Sequence, residues 1–322
     1  MTDPRTPVIV AARRTPIGTA GLALRDVTAP HLAHPVLRAV CGDGLGEDPG
    51  QVVLGNCMGP GGNVARVASL AAGFDVAVPA MTVDLQCGSG LAAITTACAL
   101  VRSGSADAVV AGVVESASTA PWRLWPPVDG ADPQRYTRAP FSPAEIGDPE
   151  MGAAADEVAR RHGITRDRQD AYAARSHARA AAARAAGRFD DELVRLPQLD
   201  HDERVRDHLR TTTLARFPTA FSPDGTVTAG NACGINDGAA AVAVVSGARR
   251  RADGIPGLAC LDWETVGCDP NLPGLGPVPA VRNLLCRNAI GLDDVGVVEA
   301  NEAFAAQVLA CCDELSLDEE RV

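Results

Sequence analysis

Lysine is absent from this sequence of 322 residues, so arginine supplies all 29 of its basic side chains. The missing lysine excludes three classes of site: a Schiff-base amine, a pyridoxal phosphate anchor and the Gly-Lys pair of a phosphate-binding P-loop. No apolar run approaches the roughly 18 to 20 residues that span a bilayer, and the first residues lack the apolar core of a signal peptide. These absences predict a cytoplasmic protein with no membrane partner.

Positive charge is in deficit, because 40 acidic side chains face 29 basic ones and leave a formal net charge of −11. This charge repels nucleic acid and anionic lipid, so neither is expected as a partner. Apolar residues make up 46% of the chain, which is enough to bury a large core in two or three structural units. The composition therefore indicates a globular protein.

The ten cysteines are irregularly spaced and include no Cys-x-x-Cys pair. Such spacing is typical of reduced thiols in a cytosol and argues against a disulfide framework. Without paired cysteines at ligand spacing, a zinc site is not expected either. We therefore predict that the protein holds no metal.

Seven short, valine-rich runs bounded by Gly, Asp or Pro are typical of buried strands. They are PVIVAA, QVVLGN, MTVDLQ, DAVVAGVV, AAAVAVVS, LACLDWETV and VGVVEAN. Helical patterns lie between several of these runs, notably at residues 91–104 and 278–290. Strands that alternate with helices predict an α/β architecture with covered sheets.

A middle region from about residue 121 to 221 differs from this pattern. It opens with a loop rich in Pro, Trp and Arg and continues as a helical stretch rich in Ala and Arg. We interpret it as an insertion that packs on the α/β core. Its many arginines are expected to form a solvated helix face.

Residues 32–56 and 278–301 share one order of features: an amphipathic helix, a Gly-Leu turn, an acidic stretch and a Val-rich strand closed by asparagine. This internal similarity predicts a duplicated βαβ unit. The first copy continues through Cys87 to about residue 116, whereas after Asn301 only a helical pattern remains. By this symmetry, the second half is expected to be incomplete at its C-terminus.

The most informative stretch is DLQCGSGLAAITTACAL, which places Cys87 between an apolar strand and a helix. A thiol at such a turn lies against the positive end of the helix, which lowers its pKa and favours the nucleophilic thiolate. Gly88 and Gly90 would let a substrate approach the backbone, whose N–H groups can stabilise an oxyanion. A dinucleotide-binding loop fits less well, because the acidic residue expected to end the next strand is misplaced.

Four blocks of the chain resemble those of thiolases, the enzymes that make or cleave 3-ketoacyl-CoA. VDLQCGSGLAA resembles the family's nucleophile block, and VEANEAFAAQ resembles its Asn-Glu-Ala-Phe block. TVTAGNACGINDGAAAV and residues 151–192 resemble two further segments, so the similarity extends from about residue 6 to residue 322. It implies a layered fold of two related βαβαβ halves, with an N-terminal domain at 1–248, an inserted loop domain at about 117–226 and a partial C-terminal domain at 249–322.

The resemblance also implies roles for individual residues. Cys87 would carry the acyl group as a thioester with its backbone N–H in one oxyanion hole, and Asn301 would hold a water in a second hole. Without the family context, Asn301 reads equally well as a turn residue at a strand end. Cys233 replaces a common serine and is a weaker hydrogen-bond donor. Positions that line the CoA and pantetheine channel are Met151, Arg206, Thr213, Phe221, Ala229, Cys233, Ala303 and Phe304.

Thiolases continue into Asn-x-x-Gly-Gly-Ala, Gly-His-Pro and Cys-x-Gly-Gly-Gly blocks. The resemblance implies that these blocks supply the histidine that activates the nucleophile and a second cysteine that shuttles the proton for carbanion formation. None of the six histidines in this sequence lies in such a context. The resemblance implies a CoA-dependent C-acyltransferase that uses CoA thioesters as substrates, binds no cofactor tightly and forms a homodimer or higher oligomer.

Three alternatives stay open. The missing blocks could come from a small separate subunit, or the reading frame could be truncated. The chain could also be a non-catalytic protein that binds acyl-CoA or a partner. A ketoacyl synthase is disfavoured by the Asn-Glu-Ala-Phe block.

Overall fold

The computed structural model describes residues 3–322. These residues form two compact units. The first contains residues up to 123 together with 187–204 and 235–261, and the second contains residues 124–186, 205–234 and 262–322. Within the described part of the chain, no helix is both long and apolar enough to cross a membrane.

The strands and helices alternate along most of the chain. The strands are β1 (Pro7–Arg14), β2 (Gly18–Thr19), β3 (Gln51–Gly55), β4 (Ala80–Val83), β5 (Ala108–Ser116), β6 (Arg123–Trp125), β7 (Gln134–Tyr136), β8 (Asn236–Ser246) and β9 (Leu258–Ala259). The helices are α1 (Ala29–Gly44), α2 (Val64–Ala71), α3 (Ser89–Ser103), α4 (Met151–His162), α5 (Arg166–Ala185), α6 (Thr211–Leu214), α7 (Gly247–Asp253), α8 (Pro277–Asn288) and α9 (Ala305–Leu315).

The first unit is built on one sheet with the strand order β4-β3-β5-β8-β1-β9, and β2 pairs with β8. β4, β3 and β5 run parallel, whereas β8 is antiparallel to both β5 and β1. The helix between β3 and β4 and the helix between β4 and β5 provide the crossovers that parallel strands require. This arrangement confirms the mixed α/β architecture predicted from the alternating pattern.

Helices cover both faces of this sheet. Alternate side chains of a strand point to opposite faces. One set packs in a single apolar cluster with α1 and α2, and its members include Leu32, Val36, Val52, Val110 and Ala243. The alternate set is also buried, on the face that α3 covers, and it includes Val53, Val109 and Val244. Because both faces are covered, the strands read as nearly continuous apolar runs.

Two predicted strands differ in the structure. The run LACLDWETV forms a strand only at Leu258–Ala259, and no strand forms among the described residues 295–301. Leu261 and Val297 are 68% and 76% exposed. A strand exists only where a neighbour accepts and donates its backbone hydrogen bonds, and apolar sequence alone does not supply that neighbour. The second copy of the internal repeat therefore shows its helix, α8, without the strand.

The second unit is mainly helical and centres on α9. All residues at 305–312 are buried, as expected for a helix that is apolar on every side. α4 and α5 pack beside α9 and share one apolar cluster with it, which includes Val158, Tyr172, Val227 and Leu309. The packing of this unit therefore depends on a helix that lies more than 100 residues after its neighbours in sequence.

The arginines of α5 do more than form a solvated face. Arg168 forms ion pairs with Asp313 at 2.8 Å and Glu319 at 2.7 Å, and Arg179 pairs with Glu320 at 2.8 Å. Arg168 lowers the pKa of Asp313 below its usual range, chiefly through its hydrogen bond. Both arginine side chains stay partly exposed, so the predicted solvated face also carries ion pairs to acidic residues more than 130 positions away in sequence.

We expect Gly112→Ala to destabilise the protein, because an ideal Cβ at this central position of β5 would lie 2.0 Å from the carbonyl oxygen of Ala240 and 2.7 Å from the Cα of Ala241. Relieving that overlap moves backbone and costs about 1–3 kcal/mol of unfolding free energy. The control is Gly42→Ala on α1, where nothing lies within 4 Å. It should stabilise by up to about 1 kcal/mol. Chemical denaturation measures the unfolding free energy of both variants. Equal effects would contradict the close packing at Gly112.

Candidate active site

Cys87 lies exposed in a tight turn between β4 and α3. Gln86 adopts a left-handed conformation with φ of +50°, which is a strained geometry for a residue with a side chain. Ser89 is 1% exposed and holds this turn, because its Oγ accepts from Leu85 N at 2.8 Å and donates to Gln86 O at 2.6 Å. Gly88 N–H donates to Leu85 O at 3.0 Å. A rigid turn therefore presents the sulfur just ahead of the helix.

Two glycines let the start of α3 pack directly on the sheet. An ideal Cβ at Gly55 of β3 would lie 2.6 Å from the Cβ of Ser89. An ideal Cβ at Gly90 would lie 3.0 Å from the Cβ of Val113 on β5. In the structure, Gly90 thus serves helix–strand packing, and the Gly88 N–H proposed for an oxyanion already donates within the turn.

A carboxylate organises the loop that follows β3, close to Cys87. Glu115 accepts from the side-chain amide of Asn56 at 3.1 Å, from the backbone N–H of Cys57 and from Met58 N at 3.3 Å. Burial, followed by the hydrogen bond to Glu115 and the charges nearby, raises the pKa of Cys57 to about 12. Cys87 is among the groups that raise it, so the two thiols are neighbours.

In the second unit, the two blocks that contain Asn301 and Cys233 lie side by side. Cys233 N donates to Ala303 O at 2.9 Å, and Ala305 N donates to Asn231 O at 3.0 Å. Ala303 N in turn donates to Asn301 O at 2.9 Å. The side chains of Asn301 and Cys233 are exposed. Segments nearly 70 residues apart in sequence thus form one short paired structure.

Two aromatic rings line this paired structure. Phe221 and Phe304 pack edge to face with their centroids 6.0 Å apart. An ideal Cβ at Gly152 would lie 2.1 Å from the Phe221 ring, so the ring lies against the first turn of α4, where Met151 begins the helix. Phe221 is 48% exposed. The structure therefore brings together five of the predicted channel residues: Met151, Phe221, Cys233, Ala303 and Phe304.

The other three predicted channel residues lie on adjoining segments of the same unit. Ala229 is exposed in the turn that precedes Asn231. Arg206 is exposed, and its backbone N–H donates to His177 Nδ1 at 3.4 Å. Thr213 is half-buried on the short helix α6.

Glu302, next to Asn301, is held by two side chains of α5. Tyr172 Oη donates to one carboxylate oxygen and Ser176 Oγ to the other, both at 2.8 Å. Burial and the hydrogen bond to Glu302 raise the pKa of Tyr172 well above its usual range, so the phenol remains a donor. α5 therefore fixes the backbone that carries Asn301.

The same helix also anchors the other block. Asn231 Nδ2 donates to Asp170 at 2.9 Å, and Arg166 Nε donates to the second oxygen of Asp170 at 2.7 Å. Asp170 and Asn231 are 2% and 4% exposed, so this hydrogen-bonded chain is protected from water. α5 thus holds both halves of the paired structure through buried or half-buried polar contacts.

Sequence reasoning missed the supporting residues Ser89, Glu115 and Tyr172. Ser89 could have been found from the sequence, because a serine at a helix start often hydrogen-bonds the local backbone. Glu115 and Tyr172 gave no local signal, because their partners come from distant segments. Across residues 3–322, no group of three or more His, Cys, Asp or Glu side chains could hold a metal ion.

Comparison with protein families gives two matches in chain order. Residues 7–248 match the family described as "Thiolase, N-terminal domain", and residues 256–322 match "Thiolase, C-terminal domain". The protein named "Putative acetyl-CoA C-acetyltransferase VraB" from Staphylococcus aureus is 39% identical over 320 residues, covering 96% of this chain and 84% of the relative. Its counterpart from Staphylococcus haemolyticus is 40% identical over 325 residues, which cover 98% of this chain and 85% of that relative.

Two solved structures share the fold. The crystal structure of the Bacillus anthracis acetyl-CoA acetyltransferase superposes with a TM-score of 0.92 at 36% identity, covering 98% of this chain and 85% of that one. Human mitochondrial 3-ketoacyl-CoA thiolase in complex with CoA superposes with a TM-score of 0.90 at 34% identity. The superposition covers 99% of this chain and 84% of that one. These similarities confirm the fold class predicted from the four blocks.

Removing both donors to Glu302, in the double variant Tyr172→Phe with Ser176→Ala, should loosen residues 301–304. The carboxylate then loses two hydrogen bonds, each worth about 1 kcal/mol. Hydrogen–deuterium exchange should become faster at these residues. Tyr136→Phe is the matched control, since it removes a hydroxyl from a ring that stacks on Trp125 and should leave exchange at 301–304 unchanged. Unchanged exchange in the double variant would contradict an anchoring role.

Proposed function

The chain belongs to the thiolase family, and from this premise we propose that it is a CoA-dependent C-acyltransferase that forms or cleaves 3-ketoacyl-CoA. The observation that carries the proposal is the exposed Cys87, which is presented by a rigid strand-to-helix turn within the family's nucleophile block. The relatives named as acetyl-CoA C-acetyltransferases and the 3-ketoacyl-CoA thiolase support this reaction class.

The proposed mechanism is covalent and passes through a thioester on Cys87. The sulfur attacks the carbonyl carbon of the first acyl-CoA, and the thiolate of CoA leaves. A second acyl-CoA, deprotonated next to its carbonyl, then attacks the acyl-enzyme, so a carbon–carbon bond forms and the Cys87 sulfur leaves. Thiolysis runs through the same steps in reverse. The turn supports this role because the sulfur precedes a helix whose N-terminus favours developing negative charge.

In this proposal Asn301 orients a water that hydrogen-bonds the thioester oxygen of the second acyl-CoA. The fixed backbone around it supports the assignment, since Glu302 is held from α5. The partly exposed rings of Phe221 and Phe304 offer an apolar surface of the kind that a pantetheine chain contacts. The channel would also include Met151, Arg206, Thr213, Ala229, Cys233 and Ala303.

The deprotonation step needs a general base, which typically contributes 10² to 10⁴-fold to a rate. We propose that it comes from Gly-His-Pro and Cys-x-Gly blocks outside the printed sequence, whether on the same polypeptide or on a small separate subunit. The substrates would be CoA thioesters with no tightly bound cofactor. We further propose that the protein acts in the cytoplasm as a homodimer or higher oligomer. In this proposal, residues 1–248 form a thiolase N-terminal domain that includes an inserted loop domain at about 117–226. Residues 249–322 belong to the C-terminal domain.

Acyl transfer to the nucleophile tests this proposal without requiring the base for carbanion formation. Incubation with acetyl-CoA should add one acetyl group to Cys87 in the unmodified protein, because only this thiol is presented at a helix start. Cys87→Ser should abolish the thioester. Cys286→Ser is the matched control, since Cys286 is also exposed, and it should retain acetylation. Mass spectrometry of arginine-terminated peptides locates the group.

The opposite outcome has a defined meaning. If acetyl-CoA leaves no thioester and iodoacetamide labels Cys87 no faster than Cys286, the acyltransferase proposal fails for this chain. Binding of acyl-CoA without thioester formation would instead identify a non-catalytic binding protein.

A further inference from the structure

Two cysteine thiols contact each other away from the candidate nucleophile. Cys98 lies on α3, about three helical turns after Cys87, and is 1% exposed. Cys260 directly follows β9 and is half-buried. The two side chains are hydrogen-bonded to each other, and both are free thiols. They form a dithiol in which Cys98 is buried and Cys260 is accessible.

The surrounding backbone holds this pair in position. Cys260 N donates to the carbonyl oxygen of Pro7 on β1 at 2.9 Å. Arg102, one turn after Cys98 on the same helix face, donates to the carbonyl oxygens of Cys260 at 3.2 Å and Leu261 at 2.9 Å. These hydrogen bonds hold the backbone of Cys260 against both the sheet and the helix that carries Cys98.

The environment makes the two sulfurs chemically unequal. The hydrogen bond from Cys98, with the nearby charge of Arg102, lowers the pKa of Cys260 to about 7. The same hydrogen bond and burial raise the pKa of Cys98 well above its usual range. Ionisation is therefore favoured at the accessible Cys260 over Cys98, and the thiolate is the form that reacts with oxidants.

We propose that Cys98 and Cys260 form a reversible disulfide when the protein meets a peroxide. The Cys260 sulfur attacks one peroxide oxygen, the O–O bond breaks, and a sulfenic acid forms. The hydroxide that leaves takes up the proton that Cys260 lost on ionisation and becomes water. The Cys98 sulfur then attacks the Cys260 sulfur, the S–O bond breaks, and the hydroxyl leaves with the Cys98 proton as water. The two sulfurs lose two electrons, and hydrogen peroxide is reduced to two waters.

This disulfide would tie α3 to the segment after β9. The first turn of that helix supports Cys87, so the bond restrains the helix toward its other end. It also closes a loop with 161 residues between the two cysteines. Cross-links over long loops raise stability by restricting the unfolded chain. The inference is independent of acyl transfer and is tested without measuring that activity.

The absence of lysine makes the test direct, because trypsin then cleaves this chain only after arginine. Peptide 67–102 contains Cys87 and Cys98, and peptide 252–282 contains Cys260 and Cys268. A full-length Cys87→Ser, Cys268→Ser background leaves one cysteine in each peptide. It also removes Cys57 and Cys87 as a competing thiol pair.

In this background, hydrogen peroxide should join the two peptides through Cys98 and Cys260, and dithiothreitol should separate them. The oxidised protein should also melt at a higher temperature than the reduced one. Cys41→Ser, which removes another buried thiol of the same unit, is the control and should leave the cross-link intact. Adding Cys98→Ser should abolish it and leave a Cys260 sulfenic acid that dimedone traps.

Two results would overturn the proposal. In the first, Cys98 and Cys260 are both recovered as alkylated free thiols after peroxide treatment that oxidises exposed Cys286. In the second, Cys260 accumulates as sulfenic or sulfinic acid while Cys98 remains a free thiol, which would show that the pair does not close.

Discussion

The close packing of the first turn of α3 on the sheet is the constraint on which the candidate site depends. Gly55 and Gly90 leave no side chain between helix and strands. The Ser89 hydroxyl hydrogen-bonds the backbone of Leu85 and Gln86 in the preceding turn. The left-handed Gln86 is tolerated because these contacts over-determine the turn. As a consequence, Cys87 is both exposed and rigidly placed, which is the combination that a covalent nucleophile requires.

A second constraint acts in the other unit through α5. Its Asp170 holds Asn231, and its Tyr172 and Ser176 hold Glu302, so one helix positions two blocks that are distant in sequence. Two arginines of the same helix, Arg168 and Arg179, bind acidic residues that follow α9. A single helix thereby links the stability of the unit to the geometry around Asn301.

Sequence pattern and structure disagree where a feature depends on a distant partner. Residues 261–266 and 295–301 have the apolar composition of strands, but they form no strand in the described chain. The arginines of α5 have the composition of a solvated face, but several form ion pairs across the fold. In each case, composition indicates only which structure a segment is able to form. The hydrogen bond or ion pair also requires a partner group that folding brings close.

The sequence by itself determined the α/β class, five of the seven predicted strands, the strand-to-helix turn at Cys87 and the family. Those features are local: apolar periodicity, a Cys-Gly-Ser-Gly run at a helix start, and four ordered blocks. Only the tertiary structure decided that Ser89 locks the turn, that Glu115 organises the loop beside Cys87, and that Cys98 meets Cys260. The physical reason is that each of these contacts joins groups whose proximity depends on backbone geometry and packing, and residue type alone does not encode that proximity.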